Sequence, residues 1–426
     1  MGSHRAAGGA ARLVTGAEEM SLTIERVVAG GDGLARHDGL VVFVPRTLEG
    51  ERVRARVRMR GRLARGELTA VAQPSGARVD APCVHYEQDE CGGCQLQHAS
   101  YGEQLRIKGA LVAEAFRRIA RRELPAPAVE PAPNAWRYRR KLTLALRRDD
   151  GGWFAGLRRH HDPDAVFALR DCLITSEHVV NVWHAILAAS THFPDAAELR
   201  GAVRTLDDGR FSFHLEGGRA WPDADRFFAA VPALVAVWWS PERGRRVRIA
   251  ARSGHVHHGA AFVQVNDEVA RLLRSHVVSI VRAHTPGHVI DAFAGQGDLA
   301  LQLVDLGMRV TAIEVDRDAA RHAALALAPP STVVAARVEH VLARALPADV
   351  VVLNPPRTGV HADVCDVLDR ERQRIRAVVY VSCDPATLAR DVARLTHWRV
   401  ARLACFDMFP QTAHVETACE LVPEVG

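Results

Sequence analysis

No apolar run in the 426-residue chain approaches the ~20 residues that a membrane-spanning helix needs, and the first residues lack the apolar core of a secretory signal. The expectation is a cytoplasmic protein without a membrane partner. Internal repeats are also missing, which excludes a solenoid or propeller. Eight cysteines are too few for a disulfide scaffold in a chain of this length, and cytoplasmic thiols stay reduced. Overall charge is small: 55 Lys and Arg against 50 Asp and Glu leave +5, so the distribution of charge matters more than its sum. A chain this long exceeds one ordinary core and implies two to four domains.

What is present is organised by region. Residues 1–19, rich in Ala and Gly, read as a disordered tail. Residues 20–75 read as short strands and turns, with VVFV (Val41 to Val44) as a buried strand and GGDG (Gly30 to Gly33) as a turn. RVRARVRMR then alternates strictly. Arg52, Arg54, Arg56, Arg58 and Arg60 fall on one face, and Val53, Ala55, Val57 and Met59 on the other. Seven arginines stand against two glutamates between Glu51 and Ala70. A small all-β barrel of the oligonucleotide-binding kind suits this pattern, with the stripe facing phosphates. The plainer alternative is an edge strand charged against aggregation.

Residues 76–255 read as a mixed α+β central domain. Three cysteines crowd together as C-x7-C-G-G-C (Cys83, Cys91, Cys94), and Cys172 follows far downstream. Four thiolates suit an iron–sulfur cluster or a zinc ion, and spacing does not separate the two. An amphipathic helix is expected around Gln104 to Arg122, and the proline-rich LPAPAVEPAP (Leu124 to Pro133) marks a boundary. WRYRRK then offers Trp136, Tyr138, Arg139 and Lys141, residue types that stack on bases and hold phosphates. A buried aromatic with a solvated basic flank is the competing account.

Residues 256–426 alternate strands and helices, the signature of a parallel sheet covered on both faces. The strands are VIDAF (289–293), RVTAIEV (309–315), TVVAARV (332–338), ADVVVLN (348–354) and AVVYVS (377–382), and a closing hairpin spans Arg399 to Val422 around FPQT. DAFAGQGDLA places Gly295 and Gly297 in a strand-to-helix turn, and Glu314 follows nineteen residues after Gly295 at the end of the next strand. Nicotinamide dehydrogenases and S-adenosylmethionine (SAM) methyltransferases share that motif. NPPRTG (Asn354 to Gly359) discriminates, because two prolines stiffen a loop at the sheet's ligand-binding edge and hydride transfer has no need of it.

Cys383 leaves the fifth strand at the same edge. Asp384 reads as an N-cap and Pro385 as the first helical residue, so the thiol lies beside a helix N-terminus that favours thiolate. A thiolate serves a pyrimidine: attack at carbon 6 makes carbon 5 nucleophilic enough to take a methyl group, and a base must then remove the carbon-5 proton. DMFPQTAHVET supplies Glu416, with His414 as competitor.

FVQVN (Phe262 to Asn266), DAFAGQGD, NPPRTG, YVSCDPATLARD and DMFPQTAHVE, in that order, resemble the RNA uracil-C5 methyltransferase family, which makes 5-methyluridine. The N-terminal barrel resembles the TRAM module often found there. The resemblance implies a Rossmann-like class I SAM methyltransferase domain after a TRAM barrel and a central domain. It implies Cys383 as nucleophile and Glu416 as general base. Gln264, Phe293, Gly295, Gly297, Asp298, Glu314 and Asn354 are implied as cofactor contacts. It also implies a structural [4Fe–4S] cluster on Cys83, Cys91, Cys94 and Cys172, and RNA, ribosomal rather than transfer, as the partner of a monomer. Three positions depart from the family pattern: Asn354 where Asp is usual, Asp298 where Asn is common, and Arg337 where a polar or acidic residue is usual. Two other readings compete. Asn-Pro-Pro with an aromatic marks amino-methyltransferases, but Arg357 fills the aromatic's place. A non-catalytic RNA-binding protein with a decayed donor site would explain Asn354 and Arg337.

Overall fold

Period-two patterning becomes three sheets. In the computed structural model, residues 18–60, 63–206, 208–252 and 264–424 are described, with Arg60 described for its backbone only. Phe262 and Val263 of FVQVN, and residues 1–17 of the expected tail, lie outside them. Glu18 and Glu19, assigned to that tail from the sequence, instead open the first strand, Glu18–Thr23. Its pairing with Arg52–Arg60 sets Glu19 opposite Arg56.

The first sheet has six strands, in the order Glu18–Thr23, Arg52–Arg60, Leu63–Gln73, Leu40–Val44, Gly33–His37, Arg26–Val27. Val53, Ala55 and Val57 are buried with Leu22, Val42 and Val44, while Arg52, Arg54, Arg56 and Arg58 are exposed. The stripe is not free of acids: Arg56 lies between Glu19 and Glu67 on the flanking strands, with Glu67 at 3.6 Å. Sequence adjacency hides such cross-strand neighbours.

The second sheet, seven strands from Lys141–Asp149 to Val247–Ala251, buries one face under the helices Glu177–Ala188 and Ala224–Ala230. Trp183, Phe213, Phe227 and Trp221 meet there at ring separations of 5.3–5.7 Å, the spacing of favourable edge and offset contacts.

The third sheet has eight strands. Five are parallel, in the spatial order Thr332–Ala335, Arg309–Glu314, His288–Ala292, Val350–Leu353, Ala377–Ser382. Glu416–Pro423 and Trp398–Phe406 follow antiparallel. The parallel strands at the centre are buried on both faces, hence their continuous apolar runs. The third strand ends earlier than TVVAARV suggests, at Ala335, because the helix Val338–Ala345 begins directly after Arg337. The proline-rich boundary segment also contributes a strand: Val129–Glu130 pairs with Cys405 and Phe406 and covers the sheet's open edge. Among the described residues no helix is long and apolar enough to cross a membrane.

The helix from the cysteine-rich region, Tyr101–Ala115, ends short of the expected Arg122; a π-helical turn, Phe116–Ala120, follows it. Helix and turn pack against the third sheet's layer through Val112 and Phe116. One of only two lysines in the chain, Lys108, sits in the middle of the helix, fully buried, and pairs with the fully buried Asp407. Its ammonium also donates to the Phe409 carbonyl at 3.0 Å. Gln104 and Gln411 hydrogen-bond reciprocally at 2.9 Å, Gln411 N–H to Gln104 Oε1 and Gln104 Nε2 to Gln411 Oε1. Breaking one side of a buried pair strands the other charge. Lys108→Met is therefore expected to cost about 3–5 kcal/mol in denaturant unfolding, and Lys108→Met with Asp407→Leu to recover most of it. A single variant as stable as the parent would remove the pair from the account.

Candidate active site

The parallel strands deliver their ends to one edge. His288–Ala292 is followed by Phe293, held at φ +64°, and by a turn in which Gly295 (φ +57°) and Gly297 (φ +88°) adopt the left-handed region. A Cβ on Gly297 would lie 2.9 Å from the Ala323 Cβ, so that position is closed to other residues. Glu314 ends the neighbouring strand and braces this turn. Its carboxylate accepts Gly295 N–H at 2.8 Å and Asp316 N–H at 2.7 Å, leaving lone pairs for a ligand. Asp298 opens the following helix, exposed and 3.7 Å from Arg274. Asp291 beneath the turn is buried, with one carboxyl oxygen unpartnered, and burial pushes its pKa up to about 7. Asn354 is exposed at the end of the fourth strand, its N–H donating to Ala292 O at 3.3 Å. Arg337, also exposed, pairs with Glu339 at 2.6 Å.

Cys383 follows Ala377–Ser382 and precedes the helix Pro385–Arg394. The cap is as expected: Asp384 Oδ1 accepts Thr387 N–H at 2.8 Å, and Pro385 stands in the first turn. Across the sheet, Thr417 pairs with Ser382, and its hydroxyl donates to the Ser382 carbonyl at 2.9 Å. That register sets Glu416, the first residue of its strand, level with Cys383. Glu416 is 3% exposed, which in this case decides its chemistry. One oxygen accepts Gln264 Nε2 at 3.5 Å, and the other has no partner. Burial raises its pKa to about 7. Burial also raises the half-buried Cys383 thiol, and the Glu416 carboxylate adds to that, while Arg357 opposes it. His414, the competing base, is exposed and edge-on to Phe409. Gln264, implied as a cofactor contact, thus lies against the candidate base.

Cys83, Cys91, Cys94 and Cys172 line a single cavity of about 70 Å³, together with His85, Arg139 and Ile174. All four are free thiols. Gly93 N–H points at Cys91 Sγ (3.4 Å) and Thr175 Oγ1 at Cys172 Sγ (3.2 Å), donors that suit anionic sulfur. Among the described residues no set of three or more His, Cys, Asp or Glu side chains stands in position for a metal ion.

The WRYRRK segment divides. Tyr138 is buried and its hydroxyl donates to Pro410 O at 3.0 Å, so it is not available to stack on a base as the sequence suggested. Trp136 packs on the same buried cluster as Cys83 and Cys172, whereas Lys141 is exposed. Spacing gave no sign of what else fastens the loop that leads into Glu416. Gln95 and Leu96, directly after Cys94, donate their N–H groups to the Gln411 carbonyl at 3.1 and 2.9 Å.

The glycine turn, the acid after the second strand and the proline-stiffened loop on a five-stranded parallel edge define a class I SAM-dependent methyltransferase. Comparison with known proteins narrows this. Residues 331–423 match the family model described as tRNA (Uracil-5-)-methyltransferase, and residues 15–69 match the TRAM domain. The 23S rRNA (uracil(1939)-C(5))-methyltransferase RlmD of Pseudomonas entomophila is 33% identical over 453 residues, covering 96% of this chain and 95% of that protein. An RlmD of the same description from Pseudomonas putida is 31% identical, covering 94% and 92%. Among solved structures, the Pyrococcus abyssi tRNA (uracil-54, C5)-methyltransferase in complex with S-adenosyl-L-homocysteine superposes with a TM-score of 0.71. It covers 95% of this chain and 99% of its own at 22% identity, a likeness of fold. The chain belongs to the RNA (uracil-C5)-methyltransferase family, and its enzymes use SAM to methylate carbon 5 of uridine.

Glu416 carries a pH signature. Its folded pKa lies above the unfolded 4.5, so the native state holds the proton where the unfolded chain has lost it. Stability therefore falls as pH rises from about 4.5 to about 7, by roughly 3 kcal/mol at most. Glu416→Gln is expected to remove that slope in urea titrations run across this window. Parallel stability curves for parent and variant would contradict the raised pKa.

Proposed function

We propose that this enzyme methylates carbon 5 of a uridine in 23S ribosomal RNA through a transient covalent bond between Cys383 and carbon 6. The supporting observation is that Cys383 and Glu416 stand level across one pair of strands, at the edge where the SAM loops converge. Cys383 attacks carbon 6, the enolate carbon 5 takes the methyl group, and Glu416 removes the carbon-5 proton, after which sulfur leaves. A base working near pH 7 requires a carboxylate raised to that range, and Glu416 has one unpartnered oxygen to receive the proton. Phe293, Gly295, Gly297, Asp298, Glu314 and Asn354 would hold the SAM, which supplies the methyl group, and Gln264 would orient the base. Ribosomal RNA is favoured by the two RlmD relatives. The exposed Arg52, Arg54 and Arg58 would hold phosphates.

Two tests bear on the chemistry. With SAM and RNA carrying 5-fluorouridine, which has no carbon-5 proton to lose, a denaturation-resistant protein–RNA adduct is expected from the parent and none from Cys383→Ala. Methyl transfer without an adduct would return the amino-methyltransferase reading, and neither would leave a non-catalytic RNA binder. Glu416→Gln is expected to accumulate the adduct on ordinary uridine RNA and to lower turnover about 10²–10⁴-fold.

We further propose that Cys83, Cys91, Cys94 and Cys172 hold a [4Fe–4S] cluster in the cytoplasm. A cluster places each thiolate on a different iron and so accepts sulfurs spread around a cavity, where a single zinc ion draws its ligands close. When bound it ties residues 83–94 to the segment carrying Cys172. Anaerobically purified protein is expected to contain iron and sulfide in equal amounts, and Cys94→Ser to lose both. Zinc with no sulfide would refute the cluster.

A further inference from the structure

The seven-stranded sheet has two unlike faces. The helices Glu177–Ala188 and Ala224–Ala230 cover one, and among the described residues no helix lies on the other. Strand alternation turns Thr143, Ala202, His214 and Trp238 to that open face, and the register sets them in one row that ends opposite Arg248. Towards the cysteine hairpin the face opens into a groove of about 710 Å³. The groove's arginines already have partners: Arg200 meets Glu216 at 2.8 Å, and Arg147 meets Glu198 at 3.1 Å. The far corner differs. The turn after the strand Leu234–Ser240, and the strand Val247–Ala251 that follows it, carry Arg243, Arg245, Arg246 and Arg248. All four are exposed, and among the described residues none of them pairs with an acid. Glu242, in the same turn, is taken by Arg219 at 3.4 Å. Trp238 lies beside two of the four. The guanidinium carbons of Arg246 and Arg248 stand 5.5 and 5.9 Å from its ring centroid, the outer limit of a cation–π contact, whereas the closed Arg46–Tyr86 stack measures 4.3 Å. The Trp238 indole N–H is covered and has no acceptor. Around the buried face of the same sheet, Trp183, Trp221 and Trp239 give theirs to backbone carbonyls at 3.2, 2.7 and 2.8 Å. A buried donor without a partner is uncommon and calls for an explanation.

We propose that this corner is a second RNA-binding surface: a single-stranded stretch of the substrate RNA stacks a base on Trp238 and lays its phosphates against Arg243, Arg245, Arg246 and Arg248. The inference rests on the reading of this chain as an RNA methyltransferase, and it adds a contact that neither the target uridine nor the barrel's arginine stripe uses. Four unpaired guanidiniums on one exposed turn repel one another until an anion collects them, and a polyanion does so by releasing its own counterions. An outward indole beside guanidiniums accepts any base, since every base has a π-face. A base or phosphate oxygen arriving there would also answer the orphan N–H. A duplex would offer phosphates but no base face, so the single strand is the fitting occupant. Val247–Ala251 is the edge strand of its sheet, and charge on an edge guards against aggregation. That purpose needs neither Arg243 and Arg245, which precede the strand, nor an aromatic facing outward with an unanswered donor. The corner is remote from the cysteine cavity. Cys91 bridges to Arg159 at the end of the strand Gly152–Arg158, and the strands Lys141–Asp149, Glu198–Thr205 and Phe211–Glu216 separate that strand from Leu234–Ser240. The cavity, not this corner, adjoins the loop leading into Glu416. The surface therefore engages RNA away from the target nucleotide and acts on affinity rather than on the chemical step.

The test is the salt dependence of binding to a fluorescein-labelled oligouridine, read by anisotropy with the full chain. The parent is compared with Arg246→Gln plus Arg248→Gln, with Trp238→Ala and with Trp238→Phe, each first checked for a parental urea midpoint. Each lost phosphate contact on a single strand removes about 0.7 from the slope of log affinity against log salt, so the double arginine variant is expected to lose about 1.4. Trp238→Ala is expected to weaken binding about 5- to 150-fold, the range for one stacked base, and Trp238→Phe, which keeps a ring, to fall between it and the parent. In methylation assays these variants are expected to raise KM for RNA while kcat stays within about twofold of the parent. An unmoved slope in the double arginine variant would overturn the proposal and leave the charges to edge protection. So would parental affinity in Trp238→Ala. If the parent forms no adduct on 5-fluorouridine RNA, the methylation chemistry fails on its own, and the salt slopes still decide this surface.

Discussion

Antiparallel pairing of Ala377–Ser382 with Glu416–Pro423 is the constraint on which the candidate chemistry depends. A slip of one residue in that register would turn Glu416 to the opposite face of the sheet. In the observed register, Ser382 and Thr417 are partners, which sets Cys383 and Glu416 level with each other. They cannot comfortably both be anions in a site that buries one and half-buries the other. Burial raises the proton affinity of both groups, and the Glu416 carboxylate raises that of the Cys383 thiol further, so the free site favours a single negative charge. Such a pair fits a reaction in which sulfur must be anionic at the start and the carboxylate must take a proton only later.

Register fixes neighbours but does not hold the loop that feeds Glu416 into its strand. That loop, residues 407–413, turns back over the earlier part of the chain and is gripped there by unusually long-range bonds. Lys108 neutralises Asp407, Gln104 and Gln411 exchange two hydrogen bonds, Tyr138 holds the Pro410 carbonyl, and the backbone after Cys94 holds that of Gln411. Polar bonds inside a core specify one arrangement, because a misplaced loop would strand buried charge and unpaired amides. The cysteine cavity and this loop are thus parts of one packed unit, joined through Gln95 and Leu96 on one side and Tyr138 on the other.

Local rules were easy to read in the sequence. Alternation gave the Arg52–Arg60 strand with its faces correctly assigned, continuous apolar runs gave the parallel strands, and the Asp384–Pro385 pair gave the helix start beside Cys383. Cross-chain relations were not legible. Nothing in the spacing showed that Glu19 and Glu67 flank Arg56, that Val129–Glu130 would close a sheet edge, or that Tyr138 would spend its hydroxyl on a carbonyl some 270 residues away. Glu416 was reached from chemistry, since the reaction needs a base, and from resemblance. Its burial and unpartnered oxygen are tertiary facts that one-dimensional patterns do not carry.

The departures from the family pattern gain meaning from the same electrostatics. Asn354 takes a carboxylate away from the loop that carries Arg357, and Arg337, exposed beside the third strand, answers to Glu339 rather than to the glycine turn. At the glycine turn itself the carboxylate is that of Glu314, whose oxygens brace Gly295 and Asp316.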